Sequence, residues 1–503
     1  MFNTRRGGLF TAVCSAGLAL GLAQPAFAET LAEAIALAYD SNPTLQAQRA
    51  TQRALDENWV QARSGYRPQA SAQGRLQYSE RRQPGGMLVD TNNNGIVDTR
   101  VRNRSEENAA VATLSLSQPL YTGGRVAATV SAAEADILTG RENLRRTESS
   151  VMQAVIQAYV DVRRDQEALR IRQENVGVLR RQLDESKARF DVGEITRTDV
   201  AQSEARLAAA QSLLTQSQAQ LAISRAGYAA LVGQNPGDLA PEPSLAALLP
   251  ADVAQAFAAA EDNNPQIRAA EYTQQASKAR ISAAKAERMP SLGLNGSIGV
   301  NGSADPWERD LFGRDVAASA TLTVPLFTGG LTSSRIRAAM ERNNADRIGV
   351  ETARRAVMQS LTGSWNQLIA SRSNITSTDE QVKASRIAAE GTRQEQQVGL
   401  RTTLDVLNAE QELRQAELAQ VSARRDEYVA ASLVLAQMGQ LEGPNLVPTV
   451  TRYDPKTNFS KLRITWGWVP WEEPIALVDG VTAAKTVEKP MTQPAVQPPA
   501  PSN

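Results

Sequence analysis

The chain has 503 residues, in which 54 basic side chains balance 54 acidic ones, with one cysteine and no histidine. This balance excludes the basic surface that nucleic-acid binding needs. The absence of histidine and the scarcity of cysteine remove the commonest general bases, thiol nucleophiles and transition-metal ligands. The composition therefore predicts a protein that is not an enzyme and binds no cofactor. The one enzyme class that it leaves open is one that uses carboxylates as catalytic groups.

Residues 1–28 have the pattern of a secretory signal peptide. Two arginines near the start precede an apolar stretch from Leu9 to Leu22, and Ala26–Ala28 is a small-x-small cleavage site. Cleavage before Glu29 would remove Cys14, the only cysteine, which does not match a lipoprotein box. No later apolar run reaches the roughly 18 residues of a membrane helix. We therefore expect an exported chain without a disulfide, a lipid anchor or a membrane helix.

The rest of the chain is an internal duplication. Asn42-Pro43 recurs as Asn264-Pro265, 222 residues later, and QPLYTGG at 118–124 recurs as VPLFTGG at 324–330, 206 residues later. The change in spacing places 16 extra residues in the first copy, between Pro68 and Pro119. Internal repeats of this kind indicate a repeated structural unit. We predict a first repeat at 29–240 and a second at 241–441.

Each repeat begins with a helical stretch, at 30–66 and 252–288, and continues with alternating residues. In the first copy Ala70, Ala72, Gly74, Leu76 and Tyr78 lie on one side and polar residues on the other. A period of two with one apolar face predicts a strand. A polar loop then leads to a second alternating run, at 109–120 and 316–326.

Proline lies at each predicted junction between a helix and a strand. The four positions are Pro68, Pro119, Pro290 and Pro325. Proline ends a helix and cannot donate a hydrogen bond to a β-ladder, so it suits the change from one architecture to the other.

A long helical pattern follows the strands in both repeats. Apolar residues recur every seven positions, at Val155, Val162, Leu169, Val176, Leu183 and Phe190, with Leu361, Leu368, Ile375, Val382, Ala389 and Gln396 as their copies. A sustained seven-residue period predicts left-handed supercoiling against neighbouring helices. A helix over 126–190 would be roughly 95 Å long, a length that suits a spacer or a tube.

The strands suit an outer-membrane barrel, whose strands cross the hydrocarbon with about 9–11 residues. Four strands cannot close a barrel, and lipid does not tolerate unpaired strand edges. Membrane insertion therefore requires several copies to share one barrel.

This plan, with PLYTGG and PLFTGG and with VGLRTTLDVLNAE at 398–410, resembles the TolC family of outer-membrane channel-tunnels over about residues 30–441. The resemblance implies a mainly helical, internally duplicated fold. It also implies a homotrimer, with four strands per protomer in a shared twelve-stranded β-barrel and coiled helices in a periplasmic α-barrel. In its overall pattern and in the missing lipobox, the sequence resembles the type I secretion branch of the family more than the lipidated multidrug-pump branch.

The resemblance also implies a gate at the periplasmic hairpin turns, which contain Gly193 and Gly399. Arg401 matches the family's gate arginine and Asp199 its acidic partner, while Gln396 stands where a gate tyrosine is expected. Asp405 matches one of two aspartates that ring the closed aperture, and Asn408 stands in place of the other. Independently of the resemblance, Asp199 and Asp405 each fit a helix capping box, and both roles are compatible.

Two further segments have local interpretations. Asp90, Asn92, Asn94 and Asp98 fit the first nine positions of a calcium loop, but Val101 stands where its last glutamate belongs, and a plain Asn/Gly turn is the favoured alternative. Residues 442–483 are aromatic-rich and are predicted to form an equatorial segment around the helices. Residues 484–503 are rich in Pro, Ala, Gln and Thr and are predicted to be disordered.

These features predict an exit duct in the outer membrane of a Gram-negative bacterium, extending into the periplasm. The implied partners are outer-membrane lipid, a periplasmic adaptor (membrane fusion protein) and an inner-membrane ABC or RND-type transporter. Type I protein secretion is the leading hypothesis, and drug or metal efflux is the alternative. A structural periplasmic coiled coil is a rival from another class, but it leaves the four alternating strands unexplained.

Overall fold

The computed structural model describes residues 28–82, 87–90, 93, 95–97, 99–101, 104–304, 312–462 and 467–481. The predicted signal peptide, except its last residue, and the predicted disordered tail at 484–503 lie outside the described residues.

Helices dominate the described chain. They are α1 (Leu31–Ser41), α2 (Pro43–Arg63), α3 (Arg125–Asp191), α4 (Arg197–Val232), α5 (Val253–Asn263), α6 (Pro265–Ala286), α7 (Leu331–Gln397), α8 (Thr403–Gln437), α9 (Gly443–Leu446), α10 (Lys456–Lys461) and α11 (Glu472–Gly480). The described strands are β1 (Gln69–Arg82), β2 (Met87–Val89), β3 (Thr99–Val101), β4 (Arg104–Tyr121), β5 (Ser291–Ser303) and β6 (Gly313–Thr323).

The predicted helical stretches that open the repeats are each divided in two by an Asn-Pro pair. Proline disfavours the helical conformation of the residue before it, and Asn42 and Asn264 are extended, with ψ values of 123° and 122°. Each asparagine side chain then accepts hydrogen bonds from the first turn of the next helix, as an N-cap does. The helical stretches expected over 30–66 and 252–288 are therefore confirmed, and each is interrupted at one asparagine.

The main sheet is antiparallel, with the strand order β1-β4-β5-β6. Because directly paired residues share a face, the register collects apolar side chains on one side. This apolar face contains Leu76, Leu114, Leu116, Leu294, Ile298, Val300, Val316 and Leu322, which are 40–81% exposed. The opposite face contains Gln69, Ser117, Asn295 and Ser319, so the predicted alternation is confirmed.

The first strand–strand connection contains structure that the sequence did not predict. Strands β2 and β3 form a short hairpin there, in place of a plain polar loop. Between them Asn93 and Gly95 have positive φ angles of 58° and 82°, and the Gly95 N–H donates to Asp90 Oδ2 at 2.6 Å. Of the proposed calcium ligands, Asn92, Asn94 and Asp98 lie outside the described residues.

The four prolines lie near the ends of the strands. Pro68 and Pro290 directly precede β1 and β5. Pro119 lies within β4 because that strand continues to Tyr121, and the pairing with β5 shifts between these two residues. Pro325 lies beyond β6, which ends at Thr323, earlier than the predicted boundary at 326. The missing N–H of proline fits each position.

Helices α3 and α7 each contain 67 residues and start 206 residues apart. At 1.5 Å per residue each is about 100 Å long. The seven-residue pattern is confirmed by burial, since Val155, Val162 and Leu361 are fully buried. Phe190, at the far end, is 42% exposed. No helix among the described residues is both long and apolar enough to cross a membrane.

The largest apolar core lies where α1, α3, α4, α5, α7 and α8 meet, about midway along the long helices. Tyr159 and Tyr228 are fully buried there, and the Tyr228 hydroxyl donates to Glu29 Oε1 at 2.6 Å. The C-terminal segment packs beside this core through α9 and, further towards the sheet, through α10 and α11. Phe459 of α10 contacts Trp59 edge-to-face, with ring centroids 5.4 Å apart.

Candidate functional site: the hairpin tips

Each long helix ends in a tight turn that reverses the chain into the next helix. Gly193 and Gly399 have φ angles of 79° and 80°, which L-residues with side chains rarely adopt. In both turns the glycine N–H and the next N–H bond back to the helix, as in a Schellman motif. The four bonds are Gly193 to Phe190, Glu194 to Arg189, Gly399 to Gln396 and Leu400 to Glu395, at 2.8–3.0 Å. The repeated Val-Gly therefore has a structural cause.

The two aspartates after these turns cap the return helices. Asp199 Oδ2 accepts from the Thr196 N–H at 3.0 Å and from the Thr196 hydroxyl at 2.7 Å. Asp405 Oδ2 accepts from the Thr402 N–H at 3.0 Å and from the Thr402 hydroxyl at 2.8 Å. The capping role predicted for both residues is confirmed.

Asp405 is also held in its charged form. Hydrogen bonds from the hydroxyl and backbone N–H of Thr402 lower the pKa of its carboxyl, and the charge of Arg401 lowers it further. In the single chain these contacts favour the ionised form of the carboxyl.

Arg401, in the turn after α7, points back towards the C-terminal end of that helix. Its Nε donates to Glu395 Oε2 at 2.8 Å, and this bond raises the pKa of the guanidinium. Both side chains are about half exposed, at 54% and 48%. No ion pair joins Arg401 to Asp199 within the described part of this single chain, so their pairing remains a prediction for the assembled protein.

The residue that replaces the second family aspartate has a partner in the other hairpin. Arg206 of α4 donates to Asn408 Oδ1 at 3.0 Å, and a second guanidinium nitrogen donates to Gln411 Oε1. Beside this link, Val176, Leu179 and Ala210 of the first hairpin pack on Leu407 of the second. The two hairpins are thus joined near their tips by a polar link and a small apolar cluster.

The sequence did not predict Arg206 and Gln411 as site residues. Arg206 and Asn408 are 202 positions apart, and no local pattern marks them as a pair. Gln396, which stands at the position of the family's gate tyrosine, is only 4% exposed. No group of three or more acidic, histidine or cysteine side chains that could hold a metal is found among the described residues.

The family model for outer membrane efflux proteins matches residues 34–234 and 257–439. The chain belongs to this family. The two matched segments fall in the two halves of the duplicated fold, and the resemblance to TolC is confirmed.

Two curated relatives and one solved structure illustrate the range of similar proteins. The chain is 32% identical to the outer membrane efflux protein BepC of Brucella suis, over 88% of this chain and 92% of BepC. It is 26% identical to the alkaline protease secretion protein AprF of Pseudomonas aeruginosa, over 82% and 84% of the two chains. Its fold matches the crystal structure of VceC from Vibrio cholerae with a TM-score of 0.65 at 19% identity, over 81% and 96%.

These similarities establish the functional class of the protein and its location in the cell. It is an outer-membrane channel of the efflux and secretion type that extends into the periplasm, and its family consists of channels and not of enzymes. Channels of this family work in tripartite systems together with adaptors and inner-membrane transporters.

Proposed function

We propose that three copies of this chain form one outer-membrane exit duct. The observation that carries this proposal is the open sheet: in the described chain, β1 pairs with β4 and β6 pairs with β5, which leaves one edge of each outer strand unpaired. Unpaired edges are not tolerated in lipid, so β6 of one copy must pair with β1 of the next. Three copies give the twelve strands that the TolC resemblance implies.

The remaining architecture fits a duct. A barrel made in this way turns the apolar face of every sheet towards lipid and the polar face towards the lumen. The helices of about 100 Å then continue from the barrel into the periplasm. The hairpin tips, with Gly193 and Gly399, form the end that meets an adaptor and an inner-membrane transporter of the ABC or RND type.

We place the gate at these tips. Asp199, Arg401 and Gln396 form its periplasmic latch, and Asp405 forms a single acidic ring with Asn408 beside it. An exposed ion pair contributes little to stability, so a latch of this kind can be released by a partner. The Glu395 partner of Arg401 and the Arg206 link to Asn408 are the contacts that opening would rearrange.

The proposed cargo is protein, exported by type I secretion. The support is the similarity to AprF, which is named for protease secretion. BepC is named an outer membrane efflux protein, and this name supports the second candidate, drug or metal efflux.

Deletion of the gene distinguishes the two cargo classes. We expect the deletion strain to lose one or more proteins from the culture supernatant, measured by mass spectrometry, and to regain them with a plasmid copy of the gene. Drug and metal tolerance should change little. An unchanged supernatant with a several-fold fall in inhibitory drug or metal concentrations would instead establish efflux.

A further inference from the structure

Helix α11 is attached to the rest of the chain by two buried carboxylates. Glu472 is fully buried and accepts from Arg63 Nε at 2.6 Å and from Arg67 Nε at 2.9 Å. At its other end Asp479, the last residue but one of α11, is also fully buried and accepts from the Thr122 N–H at 2.7 Å. Both buried carboxylates therefore face the protein, whereas Glu473 beside them is exposed and pairs with Arg63 at 2.8 Å.

The Asp479 carboxylate also completes the start of α3. The N-cap residue Gly124 has no side chain to cap the helix, and Asp479 Oδ1 accepts its N–H at 3.0 Å. A carboxylate at a helix N-terminus satisfies N–H groups that have no partner within the helix. These bonds fix both the position and the rotation of α11.

The opposite side of α11 is apolar and exposed. At about 3.6 residues per turn, Leu477 and Val478 fall on the side that faces away from the buried carboxylates, and Trp471 and Val481 flank the two ends of the helix. Their exposed fractions are 74%, 60%, 49% and 84%. A surface helix normally buries its apolar side and exposes its charged side, whereas α11 buries Glu472 and Asp479 and exposes these apolar residues, with Glu473 at their edge. Such an exposed apolar surface indicates an interaction site.

Trp471 places this surface beside the sheet. Its Nε1 donates to Gln118 Oε1 at 3.1 Å, near the end of β4 that adjoins the long helices. Gln118 pairs with Leu294, and residues two apart on a strand share a face, so Gln118 lies on the same side as Leu116 and Leu114. The exposed side of α11 is thus continuous with the apolar face of the sheet.

We propose that α11 is an interfacial membrane anchor, whose apolar side inserts into the periplasmic phospholipid leaflet of the outer membrane. This proposal rests on the proposed function, in which the apolar face of the sheet contacts lipid. Tryptophan at the end of a membrane strand and an amphipathic helix in the plane of the interface are both typical of this boundary. A neighbouring copy is a less suitable occupant, because in the sheet copies meet at the outer strands β1 and β6, whereas α11 contacts the inner strand β4 and the start of α3.

Spin labels on the intact protein test this position. Leu477→Cys is labelled with a nitroxide in full-length protein reconstituted into phosphatidylethanolamine–phosphatidylglycerol vesicles. Its accessibility to oxygen, which partitions into lipid, is compared with that to a water-soluble nickel chelate. Leu114→Cys on the apolar face serves as the lipid reference, and Val192→Cys at the hairpin tip serves as the water reference. We expect the oxygen-to-nickel ratio of Leu477→Cys to exceed that of Val192→Cys several-fold.

Three results would overturn the proposal. A ratio for Leu477→Cys equal to that of Val192→Cys, with Leu114→Cys in lipid, would show that α11 faces water. Low accessibility to both reagents would show that another protein surface covers it. Nickel accessibility at Leu114→Cys would refute the membrane position of the sheet itself, and with it the proposed function.

Discussion

Glu148 of α3 is a carboxyl group whose ionisation opposes folding. It lies against the start of α9, where its Oε1 accepts the Gly443 N–H at 3.0 Å. Burial raises its pKa to about 7, and the charge of Glu442 adds to this shift, although the Gly443 bond and nearby arginines lower it. The site therefore favours the neutral form near neutral pH.

The raised pKa of Glu148 makes a pH-dependent stability prediction. An unfolded glutamate titrates near 4.5, so between about 4.5 and 7 the folded chain holds the extra proton and loses stability as the pH rises. Glu148→Gln stays neutral and should be more stable than the wild type at pH 8, by up to about 3 kcal/mol. Near pH 4.5 the difference should vanish. Thermal midpoints of the helical circular-dichroism signal at both pH values measure it.

The exposed Glu341→Gln on α7 is a matched control for the lost negative charge. It should show no comparable pH-dependent gain. Equal effects of the two variants would show that the gain comes from net charge and not from the buried site.

At the scale of elements, the two faces of β6 should respond oppositely to the same substitution. Ala318 pairs with Gly296 on the apolar face, and its neighbour Ser319 pairs with Asn295 on the polar face. An arginine in the middle of a lipid-facing strand surface costs about 2–4 kcal/mol, whereas one facing the lumen remains hydrated. Ala318→Arg should therefore reduce the amount of assembled protein in outer-membrane fractions far more than Ser319→Arg. Equal losses would contradict the assignment of the faces.

Elements with a regular period could be predicted from the sequence. The seven-residue apolar pattern of α3 and α7 and the two-residue alternation of the strands come directly from the geometry of helix and strand. The tip turns were equally predictable because glycine, threonine and aspartate act within a few residues of each other. The break at Asn42 follows from Pro43, which disfavours the helical conformation of the residue before it, but the prediction of a helical stretch over 30–66 does not use this effect.

Contacts between distant parts of the chain could not be predicted in this way. Asp479 caps α3 across 355 positions, and Arg206 reaches Asn408 across 202. No periodic pattern or sequence motif marks either pair, because each contact depends on how distant helices pack against each other. The sequence therefore predicted Asp199 and Asp405 as capping residues but gave no indication of Arg206.

At the scale of the whole molecule, the duplication gives two equal hairpins with different tip chemistry. Both have the same turn and the same aspartate cap. Only the second has an arginine in the turn, Arg401, and only its aspartate is placed in the aperture by the TolC resemblance. Both aspartates cap a helix, but only Asp405 is expected to line the aperture. Asp199 and Asp405 are therefore a matched pair for testing the gate.

Planar-bilayer conductance with a trivalent cation such as hexaamminecobalt(III) separates the two aspartates. Asparagine retains an oxygen that can accept the capping bond, so both Asp→Asn variants should keep their tip structure. Three Asp405 carboxylates brought together by threefold symmetry would bind the cation and block the pore. Asp405→Asn should raise the half-blocking concentration at least about tenfold, which corresponds to about 1.4 kcal/mol. Asp199→Asn should leave it unchanged. Block that persists in Asp405→Asn, or that is lost equally in both variants, would refute a single acidic ring, because the charge that binds the cation would then lie elsewhere along the duct.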